Sequence, residues 1–233
     1  HYKAIDIIQK KRKLIILGDS AFAEVAYEYF THDSEYEIVA FSVEKAFLKQ
    51  QTLVNLPVIA FEEIEEHFSP EEHFFFAALV YTNLNRLRTR LYHAAKSKGY
   101  APASYISSNA FVWPNAELGE HCFIFENNVL QPFVKLGDNV ILWSGNHIGH
   151  HSSIGDHCFI ASHAVISGFV SIKHSCFIGV NASVSNNITI GKDCVIGAGA
   201  LIVKDLVEDS VVQGLAGEVR GNARRLNRVK DTS

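Results

Sequence analysis

Residues 148–172 read IGHHSSIGDHCFIASHAVISGFVSI, and an isoleucine returns at every sixth position of this stretch. Counted outward in both directions, the same phase holds Ile, Leu or Val at 17 consecutive positions, from Ile106 to Ile202. An α-helix places apolar residues at a period of 3.6 and an isolated strand alternates them, so neither produces this repeat. A strict period of six is typical of a parallel β-helix, in which each hexad is one short strand and a corner.

A second column, mostly of small residues, lies four positions after each aliphatic residue. It contains all four cysteines, Cys122, Cys158, Cys176 and Cys194. Free cysteine usually behaves as a small buried apolar residue, and the spacing does not resemble a C-x-x-C metal or redox site. We therefore predict that the cysteines fill the interior of the β-helix and take no part in chemistry.

The energetics of the repeat favour association with neighbouring chains. Burying one aliphatic side chain contributes roughly 1.5–3 kcal/mol, whereas ordering each residue of backbone costs about 1–2 kcal/mol. One aliphatic residue in six does not offset that cost. The ladders between coils, the second column and contacts with other chains must supply the rest.

Composition excludes several classes of protein. The chain has 233 residues, 48% of them hydrophobic, and a net charge of −4. That charge gives no indication of a nucleic-acid partner or a membrane surface. The longest apolar runs, such as 74–80, have about seven residues and are too short to cross a bilayer. The N-terminal stretch, up to Leu17, lacks the cleavage site of a signal peptide, so we expect a cytoplasmic protein.

Residues 1–105 carry a different pattern, in which short apolar strands alternate with helices. This alternation predicts a small parallel sheet of Rossmann type. The predicted strands are 13–17, 37–41, 58–60 and 74–80, and the predicted helices are 22–30 and 83–98. We expect three parts: this domain, a β-helix over 106–213 and a tail over 214–233. Basic residues of the tail either meet phosphates of a ligand or are simply solvated: Arg220, Arg224, Arg225 and Lys230.

The sequence Gly18-Asp19-Ser20 falls between the first strand and the first helix. Helix N-termini offer free N–H groups to anions, so this turn is a candidate phosphate loop. A tight structural turn explains the same residues. The full G-x-G-x-x-G is absent, and the second strand ends without an acidic residue for a ribose. A dinucleotide redox enzyme is therefore disfavoured.

Two motifs together suggest a family. Residues 18–23 read GDSAFA after the first strand, and residues 146–155 read NHIGHHSSIG within the unbroken hexads. The chain resembles, over nearly its whole length, the hexapeptide-repeat nucleotide-sugar acyltransferases. These include the NeuD-like sialic acid O-acetyltransferases and the PglD-like N-acetyltransferase of the bacillosamine pathway.

The resemblance implies a triangular left-handed β-helix with three hexads in each coil, assembled as a homotrimer. It implies acetyl-CoA, or another short acyl-CoA, in the groove between neighbouring chains and a nucleotide-sugar on the Rossmann-like domain. The general base of the family lies four positions before a hexad aliphatic residue and glycine. That position is His150 in this sequence, ahead of Ile154.

Several positions depart from the family pattern. The residue after the base is commonly acidic, and here it is His151. A pair of Asp residues often stands at the tip of the second strand, where this chain has Ser42 and Val43. The C-terminal Gly-x-Pro-Ala motif is replaced by GLAG at 214–217.

The histidines raise the alternative of a zinc enzyme, because seven of the 12 fall between residues 121 and 174. In a coil of three hexads, His151, His157 and His163 point to three different faces and cannot share one ion within a chain. Ligands could still meet across a trimer interface, as in β-helical carbonic anhydrases. Those enzymes use a His-x4-His pair, which this β-helix lacks.

We therefore predict an acyl-CoA-dependent sugar N- or O-acetyltransferase of surface-polysaccharide biosynthesis, without a metal. A β-helical zinc enzyme and a non-catalytic scaffold remain the alternatives. His150 is the predicted base, oriented by His151, and the N–H of Gly168, one coil further on, is the predicted oxyanion donor. By resemblance, acyl-CoA contacts fall on Gly168, Gly179, Val180 and Ala198. Predicted contacts of the nucleotide-sugar are Gly18, Ser20, Ala21, Phe22, Ser42 and Val43.

Overall fold

The structure, a computed structural model, describes residues 9–219. Its N-terminal part is a six-stranded sheet in the order β3-β4-β2-β1-β5-β6, parallel throughout except for the β3–β4 hairpin. This arrangement confirms the predicted Rossmann-like domain. The strands are β1 (Arg12–Leu17), β2 (Tyr36–Val43), β3 (Thr52–Leu53), β4 (Leu56–Ala60), β5 (His73–Ala77) and β6 (Ala101–Pro102). The helices are α1 (Ala21–His32), α2 (Ile64–His67) and α3 (Arg86–Ser97).

The two long helices cover opposite faces of this sheet. Leu14 and Ile16 of β1 join the core beneath α1, whereas Ile15 and Leu17 join the core beneath α3. This alternation follows from the two-residue period of a strand. None of the helices within residues 9–219 is long and apolar enough to span a bilayer.

Several local features differ from the sequence prediction: α2 and β6 were not predicted, and β5 ends at Ala77 and not at residue 80. Helix α3 begins at Arg86 and not at residue 83, because Asn83, Leu84 and Asn85 all have positive φ values of 50–62°. The β3–β4 hairpin was not predicted. Its turn places Val54 and Asn55 at positive φ, as two-residue hairpin turns often require.

The second half of the chain is the predicted parallel β-helix, of the left-handed type. From β7 to β23, strands three hexads apart pair in parallel, as Phe123 does with Ile141, and β24 pairs with β22 across a shorter last coil; the strands form three sheets. Face 1 comprises β7 (Tyr105–Ile106), β10 (Phe123–Ile124), β13 (Ile141–Leu142), β16 (Phe159–Ile160), β19 (Phe177–Ile178), β22 (Val195–Ile196) and β24 (Val211–Val212). Face 2 comprises β8 (Phe111–Val112), β11 (Val129–Leu130), β14 (His147–Ile148), β17 (Val165–Ile166), β20 (Ser183–Val184) and β23 (Leu201–Ile202). Face 3 comprises β9 (Glu117–Leu118), β12 (Lys135–Leu136), β15 (Ser153–Ile154), β18 (Ser171–Ile172) and β21 (Thr189–Ile190).

Each corner of the triangle is a column of residues, one per coil, in the left-handed backbone region. Corner A, between faces 3 and 1, has His121, Asn139, His157, Ser175 and Asp193. Corner B, between faces 1 and 2, has Asn127, Gly145, His163, Asn181 and Gly199. Corner C, between faces 2 and 3, has Phe133, His151, Phe169 and Asn187. Most of these residues are not glycine, so the sequence does not mark the corners in the usual way.

The three faces present different surfaces. The outward residues of face 1 are mostly aromatic and pack against the N-terminal domain, as Phe123 does against Phe22 at a ring-centroid distance of 5.8 Å. Face 2 exposes apolar side chains, including Phe111 (53% exposed) and Leu201 (66% exposed). Face 3 carries charged and hydroxyl residues such as Lys135, which pairs with Glu117. Face 2 is thus the apolar face that the N-terminal domain leaves uncovered.

A buried polar network joins α3 and β5 to corner A. The Arg88 side chain is 1% exposed and donates to three carbonyl oxygens, those of Ala77 (2.9 Å), His121 (3.1 Å) and Asn139 (2.6 Å). The Nε2 atom of His121 accepts the Ala77 N–H at 2.9 Å, so this nitrogen carries no hydrogen and the ring is neutral. Burial, with the nearby Arg88 charge, lowers the pKa of His121 well below its usual value.

Candidate active site

His150 lies at corner C, in the turn between β14 and β15, with its side chain exposed. Its backbone N–H donates to Gln131 Oε1 at 2.9 Å. The imidazole lies over Gly168, one coil further along, where an added Cβ would come within 2.8 Å of His150 Cε1. The imidazole thus lies beside Gly168 as predicted and, in this orientation, fills the space that a side chain at position 168 would take.

His151 is the next residue, at φ 58°. Its ring is sandwiched between Phe133 (centroid distance 4.5 Å) and Phe169 (4.8 Å), its neighbours one coil on either side. The Nδ1 atoms of His150 and His151 are 3.1 Å apart. One of these nitrogens must therefore carry a hydrogen and donate to the other.

The predicted role of Gly168 as oxyanion donor is not supported. Its N–H donates to Asn186 Oδ1 at 3.2 Å, and the residue is buried. This N–H is already used within the β-helix, so it is not free to meet a tetrahedral oxyanion. What Gly168 contributes is space beside His150.

The other predicted acyl-CoA contacts lie together, but away from Gly168. Val180 (44% exposed) lies one coil before Ala198, and an added Cβ on Gly179 would come within 2.6 Å of the Ala198 nitrogen. These three residues follow strands of face 1 and lie at corner B, whereas Gly168 and His150 follow strands of face 2 and lie at corner C. A single chain therefore does not bring the four predicted positions into one site.

Gly18, at the start of the candidate phosphate loop, has a structural role of its own. Its φ is +117°, its N–H donates to Ser42 O at 2.7 Å, and an added Cβ would lie 2.8 Å from Ala78 O. A side chain here would strain the backbone and push against the Ala78 carbonyl, directly after β5. Substitution of Gly18 therefore tests the fold before it tests ligand binding.

The first turn of α1 is suited to hold an anion. Ser20 is the N-cap, and its exposed hydroxyl makes no capping hydrogen bond. The N–H groups of Ala21 and Phe22 make no hydrogen bond within residues 9–219. The Phe22 ring is buried among aromatic side chains, so only its main chain is available to a ligand.

The tip of β2 is closed by small and apolar residues. Ser42 is 1% exposed and its Oγ has no hydrogen-bond partner among the described residues, while Val43 is also buried. The following loop is tied back to the phosphate loop, because Gln50 Nε2 donates to Asp19 Oδ2 at 3.1 Å. The Asp pair that is common in the resembled family is replaced by Ser42 and Val43, and the carboxylate that follows them, Glu44, is paired with Arg90 at 2.7 Å.

The two candidate sites lie on opposite sides of the β-helix. Phe22, next to the phosphate loop, packs on face 1. His150 lies at corner C, which is the corner opposite face 1. A ligand held by the phosphate loop of one chain is thus separated from His150 of the same chain by the whole width of the β-helix.

The cysteines are buried in the β-helix interior as predicted, each at most 1% exposed. Burial raises the pKa of the Cys122 thiol to about 11. A buried thiol of this kind is a poor nucleophile, since the thiolate is the reactive form. Within residues 9–219, no three His, Cys, Asp or Glu side chains come together in a group that could hold a metal ion.

Sequence reasoning missed four residues that shape the surroundings of the histidine pair: Gln131, Phe133, Phe169 and Asn186. The signal was present, because Phe133 and Phe169 each lie three hexads from His151, and Asn186 lies three hexads from Gly168. The basic residues of the predicted tail, from Arg220 onward, lie outside the described residues.

Comparison with known proteins agrees with this architecture. Residues 133–168 and 169–204 match the family described as bacterial transferase hexapeptide (six repeats). These residues of the β-helix are therefore similar to bacterial transferase hexapeptide repeats. No curated protein matches the chain.

Solved structures resemble the hexapeptide β-helix and the N-terminal domain together. The acetyltransferase domain of PglB from Neisseria gonorrhoeae, with acetyl coenzyme A, is 25% identical with a TM-score of 0.75, over 88% of this chain and 97% of that one. A mutant of perosamine N-acetyltransferase from Caulobacter crescentus, in complex with CoA and GDP-perosamine, is 24% identical with a TM-score of 0.76. That match covers 90% of this chain and 97% of the other.

Proposed function

We propose that this protein transfers an acetyl or other short acyl group from acyl-CoA to an amino or hydroxyl group of a nucleotide-linked sugar. The observation that carries the proposal is His150, an exposed imidazole lying on a glycine at the edge of the apolar face of a hexapeptide β-helix. The similar structures named above hold CoA, acetyl-CoA or GDP-perosamine, which supports both substrate classes.

The chemistry proposed for His150 is general base catalysis. The acceptor nitrogen or oxygen attacks the thioester carbonyl carbon, and His150 Nε2 takes the proton that the acceptor loses. When the tetrahedral intermediate collapses, the C–S bond breaks and the CoA thiolate receives that proton from Nε2. A C–S bond and an acceptor N–H or O–H bond are broken while a C–N or C–O bond and an S–H bond form, so no oxidation state changes and no oxidant is required.

Direct transfer is favoured over an acyl-enzyme. A covalent route needs an accessible nucleophile beside the base. All four cysteines are buried in the interior, away from His150. We therefore propose a ternary complex of enzyme, acyl-CoA and acceptor.

The nucleotide-sugar is proposed to bind with its phosphates at the first turn of α1. Free N–H groups and the positive end of the helix dipole favour a diphosphate at this position. Ser20 offers an uncommitted hydroxyl to the same group. The enzyme is proposed to act in the cytoplasm, in surface-polysaccharide biosynthesis, in keeping with the family resemblance.

The site is proposed to be completed by assembly of a homotrimer through face 2. This face exposes apolar residues that a monomer leaves in water, including Val165 at 42% exposed. Packing the corner B edge of one chain against the corner C edge of the next would place Val180 and Ala198 beside the neighbour's His150. In such a trimer, a nucleotide-sugar bound at the phosphate loop of one subunit would meet His150 of a neighbouring subunit, and not the distant His150 of its own chain.

The function is tested by incubating the protein with acetyl-CoA and a panel of nucleotide-linked amino and hydroxy sugars. Release of free CoA thiol, with a mass gain of one acetyl group on one sugar, supports the proposal. If no sugar is acetylated and calorimetry detects no acyl-CoA binding, the proposal is wrong and the scaffold alternative stands.

A substitution at Ser20 separates acceptor binding from folding. Asp caps a helix as well as Ser does and its charge suits the helix N-terminus, so Ser20→Asp should keep or raise the melting temperature. The same charge repels a diphosphate. We expect the KM for the nucleotide-sugar to rise about 10-fold or more with the KM for acyl-CoA unchanged, measured by thiol release.

Ser20→Asn is the matched neutral control and should change the nucleotide-sugar KM much less. An increase in the acyl-CoA KM, with the sugar KM unchanged, would show that the two sites have been assigned the wrong way round.

Mixed assemblies test whether the active site is shared. Ser20→Asp chains carry an intact base, and His150→Asn chains carry an intact phosphate loop. When the two variants are unfolded and refolded together and assayed at a nucleotide-sugar concentration well below the KM of Ser20→Asp, mixed trimers should be more active than the two homotrimers added together. A mixture no more active than the sum of its separate parts, despite mixed trimers seen by native mass spectrometry, would rule out a shared site.

A further inference from the structure

The histidine pair at corner C has no acidic member. The two Nδ1 atoms are 3.1 Å apart, and within residues 9–219 neither ring forms an ion pair with a carboxylate. We propose that His151 is a positioning residue that accepts the Nδ1–H of His150 and so keeps His150 Nε2 unprotonated and turned toward the acyl acceptor. The catalytic consequence rests on the proposed function, whereas the proton arrangement itself does not.

Only one of the two possible proton arrangements serves catalysis. A neutral imidazole carries a single ring hydrogen. If His151 donated, His150 would hold its hydrogen on Nε2 and could not accept a proton there. If His150 donates, its Nε2 lone pair is free, and no described residue hydrogen-bonds to that atom.

The structure holds the His151 ring by stacking and not by charge. Phe133 and Phe169 lie above and below it, with interplanar angles of 28° and 14°. This sandwich fixes the plane of the ring, and its Nδ1 edge is presented to His150. Within residues 9–219, the rings of the pair meet Phe133, Phe169 and the Gly168 backbone, and Gln131 accepts the His150 N–H; none of these residues titrates.

Because His151, the hydrogen-bond acceptor of the pair, is neutral, it should affect the pH dependence of the reaction. When His150 Nε2 takes the proton of the sugar nucleophile, His150 becomes an imidazolium whose Nδ1–H still points at His151. A second proton on the pair would bring two N–H groups face to face and break their hydrogen bond. A carboxylate in the same place would favour the imidazolium by its charge, so the present pair should lose activity at a lower pH than a His–Asp pair.

The decisive variant is His151→Phe. Phenylalanine already occupies positions 133 and 169 of the same corner at φ 66° and 58°, so the backbone tolerates it and both stacks remain. Only the Nδ1 acceptor is lost. We expect kcat to fall about 10- to 100-fold, the scale typical of residues that orient an imidazole. Both KM values should stay within about twofold.

A second variant restores the acceptor in another form. His151→Asp should recover kcat and move the acid limb of the kcat/KM profile to higher pH by roughly one unit. His174→Phe, an exposed histidine next to corner A, is the control for introducing a surface phenylalanine and should leave both kcat and the pH profile unchanged.

Nitrogen-15 NMR of the histidine rings in the ligand-free protein tests the proton arrangement without any substrate. We expect the hydrogen of His150 on Nδ1 in the wild type and on Nε2 in His151→Phe. A wild-type hydrogen on Nε2, or wild-type kcat in His151→Phe, would overturn the assignment. If no sugar is turned over but the NMR result is as expected, the proposed function fails and the proton arrangement stands.

Discussion

His150→Asn should lower kcat by about 10²–10⁴-fold, the usual cost of removing a general base. The side chain is exposed at corner C, so no core packing is lost. Its backbone N–H still donates to Gln131 Oε1, because that bond does not involve the ring. The melting temperature and the oligomeric state should therefore match those of the wild type, which thermal unfolding and light scattering can verify.

The control for this variant is His174→Asn, another exposed histidine of the β-helix. It should retain full kcat. Wild-type turnover in His150→Asn would remove the base from the mechanism. Should His151→Phe be inactive while His150→Asn is fully active, the base is His151 and the assignment is off by one position.

Arg88→Met should lower the free energy of unfolding by on the order of 3–5 kcal/mol, because three buried carbonyl oxygens lose their charged donor. Methionine roughly fills the volume of the arginine stem but cannot donate, so the buried carbonyls of Ala77, His121 and Asn139 lose a charged partner. Each unsatisfied buried acceptor costs about 1–3 kcal/mol, and broken buried networks account for the largest effects of single substitutions. Urea unfolding at one fixed protein concentration measures the change.

Arg90→Met is the matched control, two positions along the same helix. Arg90 is exposed and pairs with Glu44 on the surface, so its loss should cost no more than about 1 kcal/mol. Equal losses in the two variants would mean that α3 itself, and not the contact with corner A, is the source of the stability.

The repeat and the cysteine column were predictable because their signals are local and repeated. The hexad phase from Ile106 to Ile202 fixes which residues point inward, and counting three hexads per coil places Gly168 beside His150. The prediction that α3 starts at residue 83 was wrong, since three consecutive left-handed residues, two of them asparagines, interrupt it. Helical periodicity carries no information about such a turn.

The Arg88 network and the opposite placement of the two candidate sites could not be predicted. Arg88 sits on an amphipathic helix where an arginine would normally face water, and its burial depends on which β-helix face the N-terminal domain covers. That choice is set by aromatic residues on face 1 that lie far apart in sequence. The Gly168 N–H was expected to be a free donor because the distant Asn186 side chain that occupies it gave no local signal.

The three unlike faces restrict how this chain can change in length. The inward residues are aliphatic on all three faces, so deletion of a single hexad would keep the buried column of Ile, Leu and Val side chains intact. It would also rotate every later strand by one face, carrying apolar outward residues such as Leu201 to a different side and breaking the column that contacts α3. Insertions and deletions compatible with the surface are therefore whole coils of three hexads. Such a chain can be lengthened along its axis as a rod without altering the pattern of its sides.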